Sequence, residues 1–508
     1  MARYNFSMKE SGLINEIRSP RIYRYNMAEN LALLSNDPAV IRKFYQTDIA
    51  QYITDTWLAD EYAHKFMANN LVGNAFAYFG IIPMVVNGKV NLLASNGFEC
   101  KSNDKELSDR LNAIKEDANM EQLFADGVYW ESGIGDFLYR VGVNPKISDK
   151  PLIDVIEPQF FEVNYLMGRP VSYVIKIACE DDPQYEFREI YGHDKETGNA
   201  KVEYRFFYND KYVPLNDEAL MKQCRLKFAY MELGDLKPII FPFKELPIIY
   251  KKNNNRNILY RSERGVPDIQ GMASIEDALT ETISDLIDAI RKGGIKEWIS
   301  EALIPQTADG QNLPINSFNK RIITTKGSSN PNQTEEFYRL VQGDINWEAY
   351  TRTIQNLMSI AINKAGLAPT TLGLTGLESI NSSAESQDAR EKTSMRTREL
   401  CLKEWKKTLK DLLNRYLQVW DYMKGLPIID YSDLIEINFP DYTNPTVENV
   451  TDVLIQQVNN GLKSRETAIM ELNDNNEDIT KKELELIQSE NLPKEEMKEV
   501  NIDEGGIQ

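Results

Sequence analysis

The sequence predicts an α+β fold, because stretches with a strand pattern and stretches with a helix pattern both recur along the chain. Alternating runs rich in β-branched and aromatic residues occupy 171–178, 185–192 and 202–210, as in antiparallel strands. Apolar residues spaced three and four apart within 272–290 and 350–365 instead indicate amphipathic helices. A chain of 508 residues is long enough for about three modules of roughly 150 residues each.

The first part of the chain, residues 1–265, mixes both patterns. A helical segment is expected at Ile49–Asn69, and the three alternating runs that follow predict an antiparallel meander. Hydrophobic residues make up 42% of the chain and charged residues 27%, which is the ordinary balance of a globular protein. This part should therefore fold around its own core.

A long amphipathic helix is predicted next, followed by a small β insertion and a second helix. The first helix should end at Gly293 and Gly294, which follow two cations. Short strand-like runs separated by Gly, Pro, Asn and Ser predict a β insertion over 295–343. The second helix should begin at Asp344 or Asn346 and end at Gly366. The apolar face of the first helix consists of Met272, Ile275, Leu279, Ile283, Leu286, Ile287 and Ile290.

A third, very long helix is predicted from a capping box at Ser382 and Glu385 to about Lys424. At 1.5 Å per residue it would span about 60 Å. Its first half, 384–399, is polar on all sides, so this half should face water or other chains. Its second half carries a broad apolar stripe, made of Leu402, Trp405, Leu409, Leu412, Leu413, Tyr416, Trp420 and Met423.

Charge, cysteine content and hydropathy exclude several classes of protein. The net charge of −19 argues against a surface that grips DNA, which would need clustered Lys and Arg, although a channel through which a duplex slides gains from repelling phosphates. The four cysteines form no CxxC pair, so they predict neither a zinc site nor a disulfide framework. The first residues lack the apolar stretch of a signal peptide, and the longest apolar run, 75–86, is too short to cross a bilayer. Synthesis and retention in the cytoplasm are expected.

No motif for catalysis, for a cofactor or for a metal is found. The chain lacks GxxxxGK[ST], so any ATP hydrolysis must belong to a partner. The stretch GIGDFL at 133–138 lacks the third glycine of a nucleotide loop and predicts a turn. His64 and His193 stand apart from any metal or nucleophile arrangement. The paired acids Asp181–Asp182 and Glu335–Glu336 are predicted to be solvated surface, because sequence does not give the spacing of carboxylates in space.

Two groups of residues in the third helix each have a structural and a functional interpretation. Trp405, Tyr416 and Trp420 could stack on bases, but their helical spacing among leucines favours core packing. Basic residues cluster just before the apolar stripe and could pair with acids of an adjacent subunit or touch passing DNA. These residues are Arg390, Lys392, Arg396 and Arg398.

The order of these elements resembles the portal proteins of tailed bacteriophages, and the resemblance is strongest over 265–413. The segments GDINWEAYTRTIQNLMSIAINKAGLAPTTLGL and SSAESQDAREKTSMRTRELCLKEWKKTLKDLL are similar to portal families from siphophages of Gram-positive hosts. The resemblance implies an α/β wing, a two-helix stem, a small β clip, a long wing helix and a helical crown. The implied boundaries are 1–265 for the N-terminal part of the wing, 266–294 and 344–366 for the stem helices, 295–343 for the clip, 367–381 for the tunnel loop, 382–443 for the long helix and C-terminal part of the wing, and 444–508 for the crown and acidic tail.

The resemblance also implies sites and partners. The clip would dock the terminase motor and the head-tail adaptor, with the exposed turn Asp309, Gly310, Gln311 and Asn312 as the candidate contact. The tunnel loop would line the DNA channel with Leu372, Gly373, Leu374, Thr375, Gly376, Leu377, Glu378, Ser379, Ile380 and Asn381.

The implied assembly is a ring at one capsid vertex, of twelve subunits in the usual family case. Its other partners would be the large terminase subunit, the major capsid and scaffolding proteins and the double-stranded DNA that passes through, with no membrane, cofactor or catalytic residue. Such a ring would belong to the virion after assembly in the host cytoplasm. The alternatives are a virion scaffold that is not a portal, which would lack a central hole, and a nucleic-acid enzyme, which an ATPase or nuclease assay would reveal.

Overall fold

The chain folds as two compact units, residues 1–440 and 441–508. The computed structural model describes, within the first unit, residues 20–45, 78–144, 147–214, 216–231, 236–253, 264–293, 296–300, 322–325, 338–341, 345–374 and 384–440. Within the second unit it describes residues 454–455, 458, 463–472 and 480–484. Helix and sheet both contribute, as the sequence predicts.

The first unit contains helices before, between and after its strands in sequence. In chain order they are α1 (Pro20–Leu34), α2 (Pro38–Tyr45), α3 (Ile81–Ala94), α4 (Lys105–Asp117), α5 (Met120–Gly133), α6 (Glu218–Lys227), α7 (Ala273–Gly293), α8 (Trp347–Lys364) and α9 (Ala384–Lys424). The second unit contains α10 (Arg465–Leu472).

The strands form several sheets. In chain order they are β1 (Glu99–Lys101), β2 (Asp136–Gly142), β3 (Leu152–Ile156), β4 (Phe161–Leu166), β5 (Arg169–Ala178), β6 (Tyr185–His193), β7 (Ala200–Tyr208), β8 (Lys211–Tyr212), β9 (Ile239–Ile240), β10 (Ile248–Lys252), β11 (Lys296–Ser300), β12 (Ile322–Thr325), β13 (Tyr338–Val341) and β14 (Glu436–Asn438).

The largest sheet has the order β4-β5-β6-β7-β8, and β9 also pairs with β7. All of its neighbouring strands are antiparallel, which confirms the predicted meander. A second sheet has the order β10-β2-β3 and is antiparallel, and β1 pairs with β14. The predicted β insertion forms a sheet of order β12-β11-β13, in which β11 and β12 are parallel.

The main core surrounds the second half of α9. Trp405 is fully buried, with its ring centroid 4.9 Å from that of Phe124 on α5 and 5.9 Å from that of Phe137 on β2. Leu409 and Leu413 are also fully buried, because they share the helix face of Trp405. This confirms core packing, rather than base stacking, for Trp405 and for Tyr416, which is also buried, whereas Trp420 is half-buried beside Arg110.

A separate small core lies on the large sheet beneath α6. Phe187 and Phe206 come from β6 and β7, Cys224 from α6, and Phe228 from the residue that follows α6. The ring centroids of Phe206 and Phe228 are 5.6 Å apart, and the ring planes are inclined at 28°. The strand alternation seen in the sequence therefore places one face of β6 and β7 against this helix.

The predicted helix bounds agree closely with the observed ones. α7 ends at Gly293, α8 begins after Asn346, whose side-chain oxygen accepts a hydrogen bond from the N–H of Ala349, and α9 ends at Lys424. The predicted helix at 49–69 lies outside the described residues, as does Ser382 of the predicted capping box.

One sequence expectation needs correction, namely that the first half of α9 faces only water or other chains. Ser394 and Arg398 lie in this half and are buried within the chain. Polarity did not indicate exposure here, because both side chains hydrogen-bond to buried backbone groups of this chain.

A close contact between two glycines joins the second sheet to the segment that leads into α7. Gly135 precedes β2 with a φ of +109°, and a Cβ placed on Gly265 would lie 1.8 Å from the Gly135 carbonyl oxygen. Beside it, Asp136 is fully buried and its carboxylate accepts hydrogen bonds from Arg264, from Tyr250 and from the N–H of Gly265. The junction thus requires glycine at 265.

Gly265→Ala should lower the free energy of unfolding by about 3 kcal/mol or more, because the added methyl group meets backbone that cannot move aside. Urea unfolding followed by circular dichroism measures the loss. Gly142→Ala is the matched control, because a Cβ there has no neighbour within 4 Å, and it should stay within about 0.5 kcal/mol of the wild type. An equal loss in both variants would contradict this account.

Candidate functional site

The connection between α8 and α9 begins with a tightly held segment, here called the loop foot (Gly366–Leu374). Gly366 has a φ of +71° and ends α8, which only glycine does without strain. A 3-10 turn follows at Pro369–Leu372, and Gly373, with a φ of +73°, ends it. The rest of the predicted tunnel loop, Thr375–Asn381, lies outside the described residues.

The loop foot is hydrogen-bonded to the first half of α9. Ser394 is fully buried, and its Oγ accepts a hydrogen bond from the N–H of Ala368 at 2.8 Å and lies 2.7 Å from Oγ1 of Thr371. One turn further along, Thr397 Oγ1 donates to the carbonyl of Gly366 at 2.7 Å. These bonds fix where the connection leaves α8, and they account for the hydroxyl-rich sequence of this half of α9.

The loop foot is also held by α3. A Cβ on Gly88 of α3 would lie 2.0 Å from Cδ2 of Leu372, so the absence of a side chain at Gly88 makes room for Leu372. Leu372 and Leu374 are half-buried, whereas Gly373 is exposed and a Cβ there would have no neighbour within 4 Å. Of the predicted loop residues, Leu372 is therefore anchored, and Gly373 is the first whose surroundings are open.

The same helix α3 is attached at its N-terminus to α7. The buried carboxylate of Glu276 accepts hydrogen bonds from the N–H groups of Gly80, at 2.8 Å, and Ile82, at 3.1 Å. A helix N-terminus has N–H groups without partners and a partial positive charge, so it suits a carboxylate. Burial raises the pKa of Glu276 above its ordinary value, although the backbone donors and Thr280 lower it in part.

The helices α7 and α8 pack against each other and are fixed at one end of the pair. Lys364, the last residue of α8, donates to the carbonyl of Gly271, just before α7, at 2.8 Å. Glu276 binds α3 one turn further along α7. At the other end of the pair, Ile290 on α7 and Trp347 on α8 are exposed. The two helices thus run antiparallel, with exposed apolar residues at the end far from α3, and the β11–β13 sheet lies between them in sequence.

The predicted basic residues do not share one environment. Arg398 is only 9% exposed and donates to the carbonyls of Leu92, at 3.2 Å, and Pro440, at 2.6 Å. Lys392 and Arg396 are exposed, and no acid among the described residues lies within 4 Å of them. We therefore assign Arg398 to packing within the chain. Of Arg390, the structure describes only the backbone in α9.

The exposed basic face of α9 extends further than sequence reasoning recognised. Exposed Lys403 and Lys407 and half-buried Lys410 follow Lys392 and Arg396 at spacings of three, four and seven, which places all five on one side of the helix over about 27 Å. Exposed Lys406 and the acidic Glu399 lie on the same side. The spacing of these lysines is the sequence signal that indicates a basic side of α9.

Potential metal ligands are dispersed among the described residues. Among them, no group of three or more His, Cys, Asp and Glu could hold a metal ion. The ring nitrogen Nε2 of His193 lies 2.9 Å from the carbonyl oxygen of Lys244 on the surface, and Asp182 lies 3.7 Å from Lys227. Within the stretch 133–138, Ile134 and Gly135 form the predicted turn between α5 and β2, whereas Asp136, Phe137 and Leu138 already belong to β2. His64, Glu335, Glu336 and the turn Asp309–Asn312 lie outside the described residues. No described helix is long and apolar enough to cross a membrane.

Glu276→Ala should destabilise the protein by about 2–4 kcal/mol, because the N–H groups of Gly80 and Ile82 lose their buried acceptor. Glu276→Gln should cost less, since the neutral amide keeps one acceptor and the raised pKa shows that burial disfavours the charged form.

The pH dependence has a defined sign. A raised pKa in the folded state means that the wild type gains stability relative to Glu276→Gln at low pH and loses it as the pH rises through that pKa. Thermal unfolding of both proteins from pH 4 to pH 8, with the exposed Asp285→Asn as a control on the same helix, tests this. Parallel curves for the wild type and Glu276→Gln would contradict it.

Comparison with known proteins identifies the family. The sequence model of the family described as phage portal protein, SPP1 Gp6-like, matches residues 42–496. No curated protein sequence matches the chain. Solved structures with similarity include a chain in the neck of an empty gene transfer agent particle computed with C6 symmetry (13% identity, 79% of this chain and 92% of that chain, TM-score 0.39).

Two further chains are similar at 14% identity, and each match covers 92% of the solved chain. One is from the virion of a native gene transfer agent particle, covers 80% of this chain and has a TM-score of 0.39. The other is from the neck of a native particle computed with C12 symmetry, covers 79% of this chain and has a TM-score of 0.36. Because the family model matches most of the sequence, the chain belongs to the SPP1 Gp6-like family of phage portal proteins.

Proposed function

We propose that this portal protein assembles into a closed ring at one capsid vertex and that double-stranded DNA enters and leaves through the centre of the ring. The observation that carries the proposal is the family match over residues 42–496. The described architecture supports it, because an antiparallel helix pair with exposed apolar residues and a 41-residue helix with an exposed basic side leave surfaces that one subunit does not cover.

The parts are assigned as follows. Helices α7 and α8 are the stem; Glu276 and Lys364 hold the end of the pair that lies next to α3. The sheet of β11, β12 and β13 is the clip, and the body with α9 is the wing. The residues after 444 form the crown and acidic tail. We further propose that the clip, through Asp309–Asn312, docks the terminase and the head-tail adaptor, because exposed loops on a rigid scaffold are where binding residues concentrate.

The exposed apolar residues of the stem support a ring. Trp347 is 65% exposed, and Ile290 and Ile360 are more than half exposed. Large apolar side chains on this helix pair are costly in water but are covered when identical stems stand side by side. The basic face of α9 adds a second uncovered surface, which a neighbouring subunit or passing DNA would complete.

The loop beyond the loop foot is proposed as the movable collar of the channel. Leu372 and Ser394 fix its start, and Gly373 gives it a permissive backbone. Glu378 is the one charged residue of Leu372–Asn381, so the collar would repel phosphates weakly rather than hold them. A duplex that must slide requires such a surface, and the net charge of −19 agrees with it.

The role is structural rather than enzymatic in this proposal, and the ATP hydrolysis that drives packaging is supplied by the terminase. The other partners are the major capsid and scaffolding proteins. The ring is built in the host cytoplasm and then becomes part of the virion.

The purified protein should form closed rings with a central hole. Light scattering gives the mass of the particle as a multiple of the 58.3 kDa subunit, and negative-stain images show the hole. A chain that stays monomeric over a wide concentration range would contradict the proposal. Particles without a hole would favour a virion scaffold that is not a portal, and ATPase or nuclease activity of the pure rings would favour an enzyme.

Glu378→Lys should slow or stall DNA packaging while leaving rings intact. In a ring of twelve it reverses twelve charges around the duplex, and the effect should be largest at low salt, because the Debye length is about 8 Å at physiological salt. Packaging by reconstituted procapsids measures the rate. Glu196→Lys, on the exposed turn between β6 and β7, makes the same change in net charge away from the channel and should package normally. A normal rate for Glu378→Lys at low salt would remove this residue from the channel.

A further inference from the structure

The hairpin between β4 and β5 exposes an apolar tip. Its two turn residues are Met167 and Gly168, and the tip side chains of Leu166 and Met167 are 62% and 96% exposed. A shift in register between Asn164 and Tyr165 bends the hairpin just before this tip. Exposed single apolar residues are common, but two adjacent ones at the end of a projecting hairpin form a compact knob.

The backbone at this tip makes methionine an unexpected choice. Met167 has a φ of +52° and Gly168 a φ of +75°, as a two-residue turn of type I′ requires. Asn is the residue that adopts the first of these positions most readily, whereas an unbranched apolar side chain gains nothing there. The turn therefore tolerates backbone strain in order to present an apolar side chain to its surroundings.

A cleft of about 300 Å³ lies at the far edge of the same sheet. β9 pairs with β7 at Lys201–Val202, and β8 pairs with β7 at Phe207–Tyr208. The cleft lies along residues 203–206 of β7, between these two pairings. At its rim Arg205 pairs with Glu203 and lies 5.6 Å from the ring of Tyr212. Its apolar lining consists of Tyr204, Phe206, Tyr212, Val213, Met221 and Leu236.

We propose that the Leu166–Met167 tip of one copy of this chain enters the cleft beside β7 of the next copy. The chemistry matches, because an apolar knob meets an aromatic and apolar lining with a polar rim, which is the usual arrangement of a buried contact in an interface. The size matches too, since a cavity of about 150 Å³ holds one benzene and the cleft is about twice as large. Methionine sulfur also packs favourably on aromatic rings.

The positions of tip and cleft favour a second copy over any other occupant. The tip belongs to the β4–β5 edge of the sheet and the cleft to β7, three strand spacings or about 14 Å across the sheet, and the tip also lies several residues further along the strands than the cleft, so the two surfaces are well separated on one subunit. A contact between two different patches of identical chains is head-to-tail, and head-to-tail contacts form a ring when the rotation between neighbours closes. The inference therefore deepens the proposed ring and rests on it, and it names one contact by which neighbouring subunits recognise each other.

The first test separates the contact from folding. Met167→Asn places the residue that a type I′ turn favours at the tip, so the subunit should unfold at the same temperature as the wild type or higher, while the concentration at which rings dissociate rises about tenfold or more. Analytical ultracentrifugation over a dilution series measures that concentration. Ile147→Asn, at a residue that is 65% exposed elsewhere, is the matched control and should leave it unchanged.

The second test asks which surfaces meet. Met167→Cys combined with Leu236→Cys should give, under oxidising conditions, a ladder of covalent multimers on a non-reducing gel, whereas either single variant should give none beyond the wild-type background of four cysteines. Three native cysteines are buried, which keeps that background low.

The outcomes are distinct. Loss of ring stability in Met167→Asn together with the ladder supports the contact. Rings that persist with an unchanged dissociation concentration and no ladder overturn the contact and leave the proposed function standing. Dimers from Met167→Cys alone would show tip meeting tip and would also overturn it. A wild type that never forms rings would overturn both.

Discussion

The packing of α3 is the constraint on which the other functional elements depend. Nine of its residues are buried, so it behaves as a helix that is covered on most sides. Glu276 of α7 binds its N-terminus, Leu372 of the loop foot fills the space at Gly88, and Arg398 of α9 binds the carbonyl of Leu92 near its C-terminus. One short helix therefore sets the positions of α7, the loop foot and α9 together.

Buried polar groups, rather than apolar contacts alone, determine how these helices are placed along one another. Lys89 of α3 pairs with Asp268, which also accepts a hydrogen bond from Asn253, and Lys251 lies 3.0 Å from both Glu131 and Glu404. A buried charge is strongly destabilised when its partner moves away, so such pairs allow few alternative arrangements. Apolar side chains alone would let α3 and α9 shift along their neighbours, and the paired charges prevent this shift.

The charges are distributed unevenly for a chain that is strongly acidic as a whole. One side of α9 carries Lys392, Arg396, Lys403, Lys407 and Lys410 along about 27 Å, with Glu399 among them, and it begins within a few turns of the proposed channel loop in sequence. Under the proposed function, an acidic surface would keep DNA from adhering, and the basic side of α9 would give a neighbouring chain or the duplex a defined place to meet. The large sheet contributes a different, apolar pair of surfaces at its two edges. Portal subunits of this kind thus have separate charged and apolar faces available for assembly.

The sequence by itself determined the α+β class, the bounds of α7, α8 and α9 and the meander of β5, β6 and β7, and it led to the portal family. It did so because helix and strand periods record which face of each element is apolar, and caps record where it ends. Only the tertiary structure decided that Glu276 serves backbone N–H groups nearly 200 residues away in sequence, that Arg398 is buried, that Leu372 requires glycine at 88, and that an apolar tip and an apolar cleft lie at opposite edges of one sheet. Periodicity shows which positions of a helix or strand are polar or apolar. The partner of a buried polar side chain depends instead on which distant backbone groups have no hydrogen-bond partner within their own helix or strand.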